Sequence, residues 1–258
     1  MLFFLTILVL VAFTPLPRAL AHGMGEELFK GAEKVIIPAL NGPPIVDGAI
    51  QEGEYTAYGF WAEEGEGLEL SLAHNDSCLF VGVRQPGSGW IGVALSSDVD
   101  EGANVITATW NATGGEARDN FAANVTDEMD MEPDTKIGGT DDILAFAATT
   151  SAQGTTYEFA IPVASEDQYD QRFEPGKLYP LIVAFNETAQ ELPSALGQGD
   201  VHFLWVYVAR RSDDLGAVRD LFMANPSPVP ALAAMAVFIV GTGALVWRYV
   251  TLRKEEAR

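Results

Sequence analysis

The sequence predicts an all-β body, an antiparallel β-sandwich of roughly ten strands, framed by an N-terminal signal segment and one C-terminal transmembrane helix. Three observations predict it. Between Leu68 and Trp110 apolar residues recur at every second position, the period of a strand with one buried face. The runs are separated by HNDS, QPGSG and SSDVDEG, clusters whose Gly, Pro, Asn and Asp favour chain reversal. The last long run, VHFLWVYVARR, is apolar on both faces, as a mid-sheet strand covered on both sides must be.

Each element follows from its own pattern. VIIPAL and EYTAYGFW read as the first strands, separated by the turn signals Pro43-Pro44 and Asp47-Gly48. In LELSLA, residues Leu68, Leu70 and Leu72 share a face, and in LFVGVR residues Leu79, Val81 and Val83 do the same. WIGVAL and the β-branched NVITATW continue the sheet. From Asn111 to Asp142 the rhythm is lost, and the polar, acidic sequence reads as long loops around one short strand. Long loops on a rigid sheet are where binding usually resides. ILAFAATT and TTYEFAIP, joined by SAQG, form a hairpin signal, and KLYPLIVAF precedes the final strand.

The ends carry a different message. Residues 1–21 hold the apolar run Leu2–Phe13, too short for a span, followed by Ala19-Leu20-Ala21, as in a secretory signal. Residues 22–211 form the sandwich and 212–228 a stalk. Residues 229–250 (VPALAAMAVFIVGTGALVWRYV) would rise on the order of 33 Å as a helix, enough for a bilayer core. Trp247 and Tyr249 suit its interface, and a basic tail, 251–258, follows. The chain is therefore expected in the cell membrane as a single-pass protein, body outside and C-terminus in the cytoplasm. Between the ends the net charge is −24, which repels phosphate backbones and excludes nucleic acid as a partner. Cys78 is the only cysteine, so an exported body must be held by core burial without an internal disulfide.

The order of these pieces resembles the DOMON family of extracytoplasmic β-sandwiches, members of which carry haem b or sugar. The matching segments are VDGAIQEGEY, HNDSCLFVGVRQPGSGWIGVAL with its Gly89-Trp90, and DTKIGGTDDILAFAATTSAQGTTYEFAIPVASEDQYDQRFEPGKLYPLIVAF. Together they cover roughly residues 44–209, nearly the whole body. The resemblance implies a ligand-binding module. Haem-binding relatives supply a methionine just after the Gly-Trp strand and a histidine before the last strand. Here those places read SSDVDEGAN and LPSALGQGD, with neither residue. A substitute axial pair would have to come from His202 with Met129 or Met131.

Other candidate sites follow from residue chemistry. Cleavage after Ala21 would leave His22 at the N-terminus, where amine and imidazole together chelate copper. Asp98, Asp100 and Glu101 alternate in DVDEG, and Asp127, Asp130, Asp134, Asp141 and Asp142 form a second acidic group; hard oxygen donors of this kind suit calcium. Trp90, Trp110 and Trp205 offer flat faces for a sugar, and His202 is a further ligand-binding candidate. Asn75, Asn111, Asn124 and Asn186 head N-glycosylation sequons. No Gly-x-Ser-x-Gly elbow, His-Glu-x-x-His helix or phosphate-cradling loop is present, so the chain is read as a non-enzyme. Three functions stay open: a sugar- or small-ligand-binding module, a cell-surface haem b or copper electron-transfer protein with a redox partner, and a structural envelope-interaction domain.

Overall fold

Alternating apolar residues bury one side of each strand, and here two such surfaces face each other. The computed structural model describes residues 27–59, 67–99, 101–126, 128–165, 167–213 and 215–218. Its strands are β1 (Glu33–Ile37), β2 (Thr56–Gly59), β3 (Glu69–His74), β4 (Cys78–Gln85), β5 (Ile91–Ser96) and β6 (Ala103–Asn111). They continue as β7 (Gly114–Ala122), β8 (Glu132–Pro133), β9 (Ala145–Ser151), β10 (Gly154–Pro162), β11 (Leu178–Phe185) and β12 (Asp200–Val208). A one-turn helix, α1 (Asp134–Ile137), follows β8. A seven-stranded sheet runs β1-β12-β11-β5-β6-β7-β8, and a five-stranded sheet runs β2-β3-β4-β10-β9.

The two-sheet, all-β expectation holds, with twelve strands among the described residues where roughly ten were counted. One pairing departs from the antiparallel rule: β1 lies parallel to β12, Glu33 opposite Leu204 and Ile37 opposite Val208. The other departure is β7, nine residues long in a stretch read as long loops around one short strand. The chain forms two compact units with their sequence boundary after Asp213, and in the second residues 215–218 are helical. The expected signal segment and transmembrane segment and most of the expected stalk lie outside the described residues. Among the described residues no helix is long and apolar enough to cross a membrane.

The inter-sheet core is built by Leu70, Leu72, Val81 and Phe159 from one sheet and Val93, Ile106, Val183 and Val206 from the other. All eight are fully buried, and each contributes about 1.5–3 kcal/mol through its removal from water. A second apolar cluster covers the outer face of the seven-stranded sheet, where Ala94, Val105, Ile182 and Ala184 meet Phe29, Val125, Met129 and Leu196. That face is therefore dry over β5, β11 and the first half of β6. Over the second half of β6 and over β7 the strand residues turn polar: Thr107, Thr109 and Asn111 stand opposite Arg118, Glu116 and Gly114.

Candidate functional site

Trp90 and Trp110 were expected to present flat faces. Trp90 is instead 2% exposed in the outer cluster. A Cβ on Gly199 would lie 2.6 Å from the edge of its ring. It is a packing residue, placed there because the strand begins beside the 196–199 turn. Trp110 is half-buried against the inter-sheet core. His202 lies on the inner face of β12, in phase with Leu204 and Val206, and stacks on Phe185 at 6.0 Å and 8°. Burial lowers its pKa. Met129 and Met131 sit in the outer cluster, on the other side of the same sheet. The proposed axial pair is thus separated by β12 itself, and the structure does not bring it together. His74 is a buried structural residue, its Nε2 2.7 Å from the Ala209 carbonyl. His22 lies outside the described residues.

The acidic candidates divide between exposed turns and a buried cluster. Asp98 and Glu101 are exposed on the β5–β6 turn, and Asp100 and Asp127 lie outside the described residues. Of the second group, Asp130 and Asp141 are exposed, while Asp134 and Asp142 point into a cluster completed by Asp119 and Asp170. Asp119 projects from the inner face of β7, Asp134 opens α1, Asp142 precedes β9, and Asp170 comes from the β10–β11 connection. One oxygen each from Asp119, Asp134 and Asp170 lies within 4.8 Å of the others.

Hydrogen bonds hold this arrangement. The Asp142 amide donates to Asp119 Oδ2 at 2.9 Å. The Asn104 side-chain amide donates to Asp170 Oδ1, and the Ser165 hydroxyl to Asp142 Oδ2. Tyr169 donates to the Ile137 carbonyl at 2.9 Å, tying the connection to α1. Burial first, then the neighbouring carboxylates, push Asp119, Asp134 and Asp170 up to about 7. Asp142, bonded to Asp170, is lowered.

For an acid raised in the folded state, its contribution to stability is present below the unfolded pKa and is lost as pH rises through the folded value. With chelator present, the melting temperature should therefore fall between about pH 4 and about pH 7 on account of these three groups. A chelated protein that melts higher at pH 7.5 than at pH 5 would contradict this balance.

A hollow of about 550 Å³ lies on the outer face of the seven-stranded sheet. Its floor is Thr109, Glu116 and Arg118, and its wall is Gln190, Glu191 and Leu192 of the β11–β12 loop. The loop is fastened by Thr109, whose hydroxyl donates to the Gln190 carbonyl at 3.0 Å, and by Gln190 to Ser88 at 3.2 Å. Arg118 and Glu116 face each other at 3.4 Å, both about half exposed. Such an exposed pair contributes only about 0–1 kcal/mol, so either partner is free to turn to a ligand at little cost. A smaller hollow, about 330 Å³, is lined by Arg84, Gln85 and Gln153 at the β4 and β9–β10 ends. The sequon asparagines Asn75, Asn111 and Asn186 all sit at strand ends, accepting backbone hydrogen bonds from the residue two positions on, and Asn124 is exposed.

No family model matches the sequence, and no curated protein matches it. Among solved structures the chain is similar to a carbohydrate binding module family 9 from Caldicellulosiruptor kristjanssonii in complex with cellotriose. That match has a TM-score of 0.46 and 10% identity, over 70% of this chain and 96% of that one. It is also similar to the cytochrome domain of Myriococcum thermophilum cellobiose dehydrogenase, at TM-score 0.42 and 11% identity, over 67% and 91% of the two chains.

Proposed function

We propose that this chain is a membrane-tethered, extracytoplasmic binding module that takes a hydroxyl-rich small ligand, a sugar or its like, and performs no catalysis. The carrying observation is the hollow beside β6 and β7. Its volume falls in the range of small-molecule sites, and its lining mixes a guanidinium, carboxylates, an amide and a hydroxyl. Vicinal hydroxyls both donate and accept, and that mixture answers both demands. Recognition there would rest on hydrogen bonds from Arg118, Glu116 and Gln190, with no tryptophan platform.

Titration calorimetry of the purified protein against neutral and acidic saccharides tests this reading. Arg118→Ala and Glu116→Ala should each weaken binding at least roughly tenfold, the loss of one charge-assisted hydrogen bond, while leaving the melting temperature within a few degrees. Heat signals absent across the saccharide set, or unchanged in both variants, would remove the hollow as the binding site.

A further inference from the structure

The carboxylate cluster at the sandwich edge goes beyond the ligand reading and does not depend on it. We propose that Asp119, Asp134 and Asp170, joined by the side-chain oxygen of Asn104, form a calcium site that ties the β10–β11 connection to the edge of the seven-stranded sheet.

Asp134 is fully buried, and among the described residues neither of its carboxylate oxygens meets a hydrogen-bond donor. Asp119 Oδ1, Asp170 Oδ2 and Asn104 Oδ1 are buried and unpartnered in the same way. Asn104 is 3% exposed on the inner face of β6, and its amide rests against Asp170. It is a neutral residue whose amide nitrogen is bound to a cluster carboxylate and whose own oxygen is buried without a hydrogen-bond donor. Native proteins rarely leave such groups unanswered, and a bound ion is one of the standard answers. No described lysine or arginine is ion-paired with any of these carboxylates. A cation from solution would supply what the chain withholds.

The donor set selects the ion. Every donor is an oxygen of a carboxylate or an amide, which disfavours zinc and copper and favours the hard divalent ions. Magnesium holds several waters in a tight octahedron, whereas calcium accepts many protein oxygens, bidentate carboxylates included, at looser distances. Five buried oxygens on four residues, with a whole carboxylate from Asp134, match calcium. Asp142 then acts as a positioning residue: its amide fixes Asp119, and its own carboxylate is held by Ser165 and Thr140. An oriented outer layer of this kind is what keeps metal ligands in place.

The placement explains what the ion would do. β8 is the last strand of one sheet and β9 the last of the other. The donors come from β6, β7 and α1 at the β7–β8 end of the seven-stranded sheet and from the β10–β11 connection, so the ion would tie the chain that crosses between the sheets to that end.

The test is calcium retention by the full-length protein, stripped with chelator and dialysed against buffered micromolar calcium. One calcium per chain is expected, with a melting temperature that rises with calcium far more than with equal magnesium. Asp134→Asn and Asp170→Asn should each weaken that ion at least tenfold, while Asp98→Asn with Glu101→Gln on the exposed turn should leave it unchanged. Terbium added to the wild-type chain gives a reading that needs no variant. Tyr169 packs beside the cluster against Gly139, so its excitation should sensitise terbium emission that calcium quenches. Less than one retained calcium with no calcium-sensitive terbium emission would overturn the proposal. So would calcium retention that is equal in folded Asp134→Asn and the wild type.

Discussion

Replacing Glu158 with alanine should lower stability by about 3–5 kcal/mol, since it leaves several buried donors without their charged acceptor. For a body of this size that corresponds to a fall in melting temperature of about 10 °C or more. Glu158 is fully buried on the outer face of the five-stranded sheet, in phase with Ala160 and out of phase with Tyr157 and Phe159. Its Oε2 accepts the backbone N–H groups of Gly48, Ala49 and Asp47 at 2.6, 2.9 and 3.3 Å. Its Oε1 accepts the Tyr55 hydroxyl at 2.9 Å. Burial raises the carboxyl above its ordinary range in spite of these four donors, and the carboxylate in turn helps drive the Tyr55 phenol far above its own.

The anchor fixes the 46–55 segment over the sheet, where Val46 and Tyr55 pack near Phe80 and Ala160, and Ile50 occupies the space above Gly82. Gly48 is required at the turn: its φ is +85°, and a Cβ there would meet Thr149 Oγ1 at 2.5 Å. Glu158→Gln keeps one acceptor for the backbone and can donate its amide to Tyr55, so its cost should be smaller, about 1–2 kcal/mol. Urea or thermal unfolding followed by circular dichroism decides the matter. An alanine variant within 1 kcal/mol of wild type, on the scale of an ordinary single hydrogen bond, would show the anchor to be incidental.

Trp90→Ala should be equally damaging, by about 3–5 kcal/mol, as the removal of a large fully buried aromatic side chain. Its consequence for binding separates the two roles assigned to this residue. A stacking platform would lose ligand affinity in proportion to the lost ring. A packing residue loses stability while the folded fraction binds as before. The second outcome is expected, because Trp90 is covered by Leu196, Ile182 and the Gly199 turn. Trp90→Phe, which retains part of the volume, should recover most of the melting temperature. Undiminished stability of Trp90→Ala together with lost affinity would restore the stacking role.

The strands with a period-two apolar face were legible: β3 to β6 and β9 to β12 lie close to where the alternation placed them. The length of β7 was not, and its residues show why. GGEARDNFA carries Glu116, Arg118 and Asn120 on one face and Ala117, Asp119 and Phe121 on the other, so the buried face has a charge at its centre. The alternation exists but is not one of hydrophobicity. The same charge explains why the metal candidates were only half found. Asp134 and Asp142 stood in an acidic run, but Asp119 and Asp170 are 15 and 28 residues from the nearer of them in a chain rich in carboxylates. Only the fold selects which few lose their water. His202 and Met129 illustrate the converse: their chemistry was compatible, but parity along β12 put a sheet between them.

The parallel union of β1 with β12 sets the order in which the body can mature. The first described strand has no sheet partner until residues 204–208 have been made, so it must wait for the last described one. Chains whose ends depend on each other in this way have many distant contacts and fold slowly. Until β12 arrives, β11 offers a bare edge, the kind on which other chains stack. A ribosome-stalled or proteolytically shortened form ending before Asp200 should therefore fail as a whole and precipitate, with no partly working remnant.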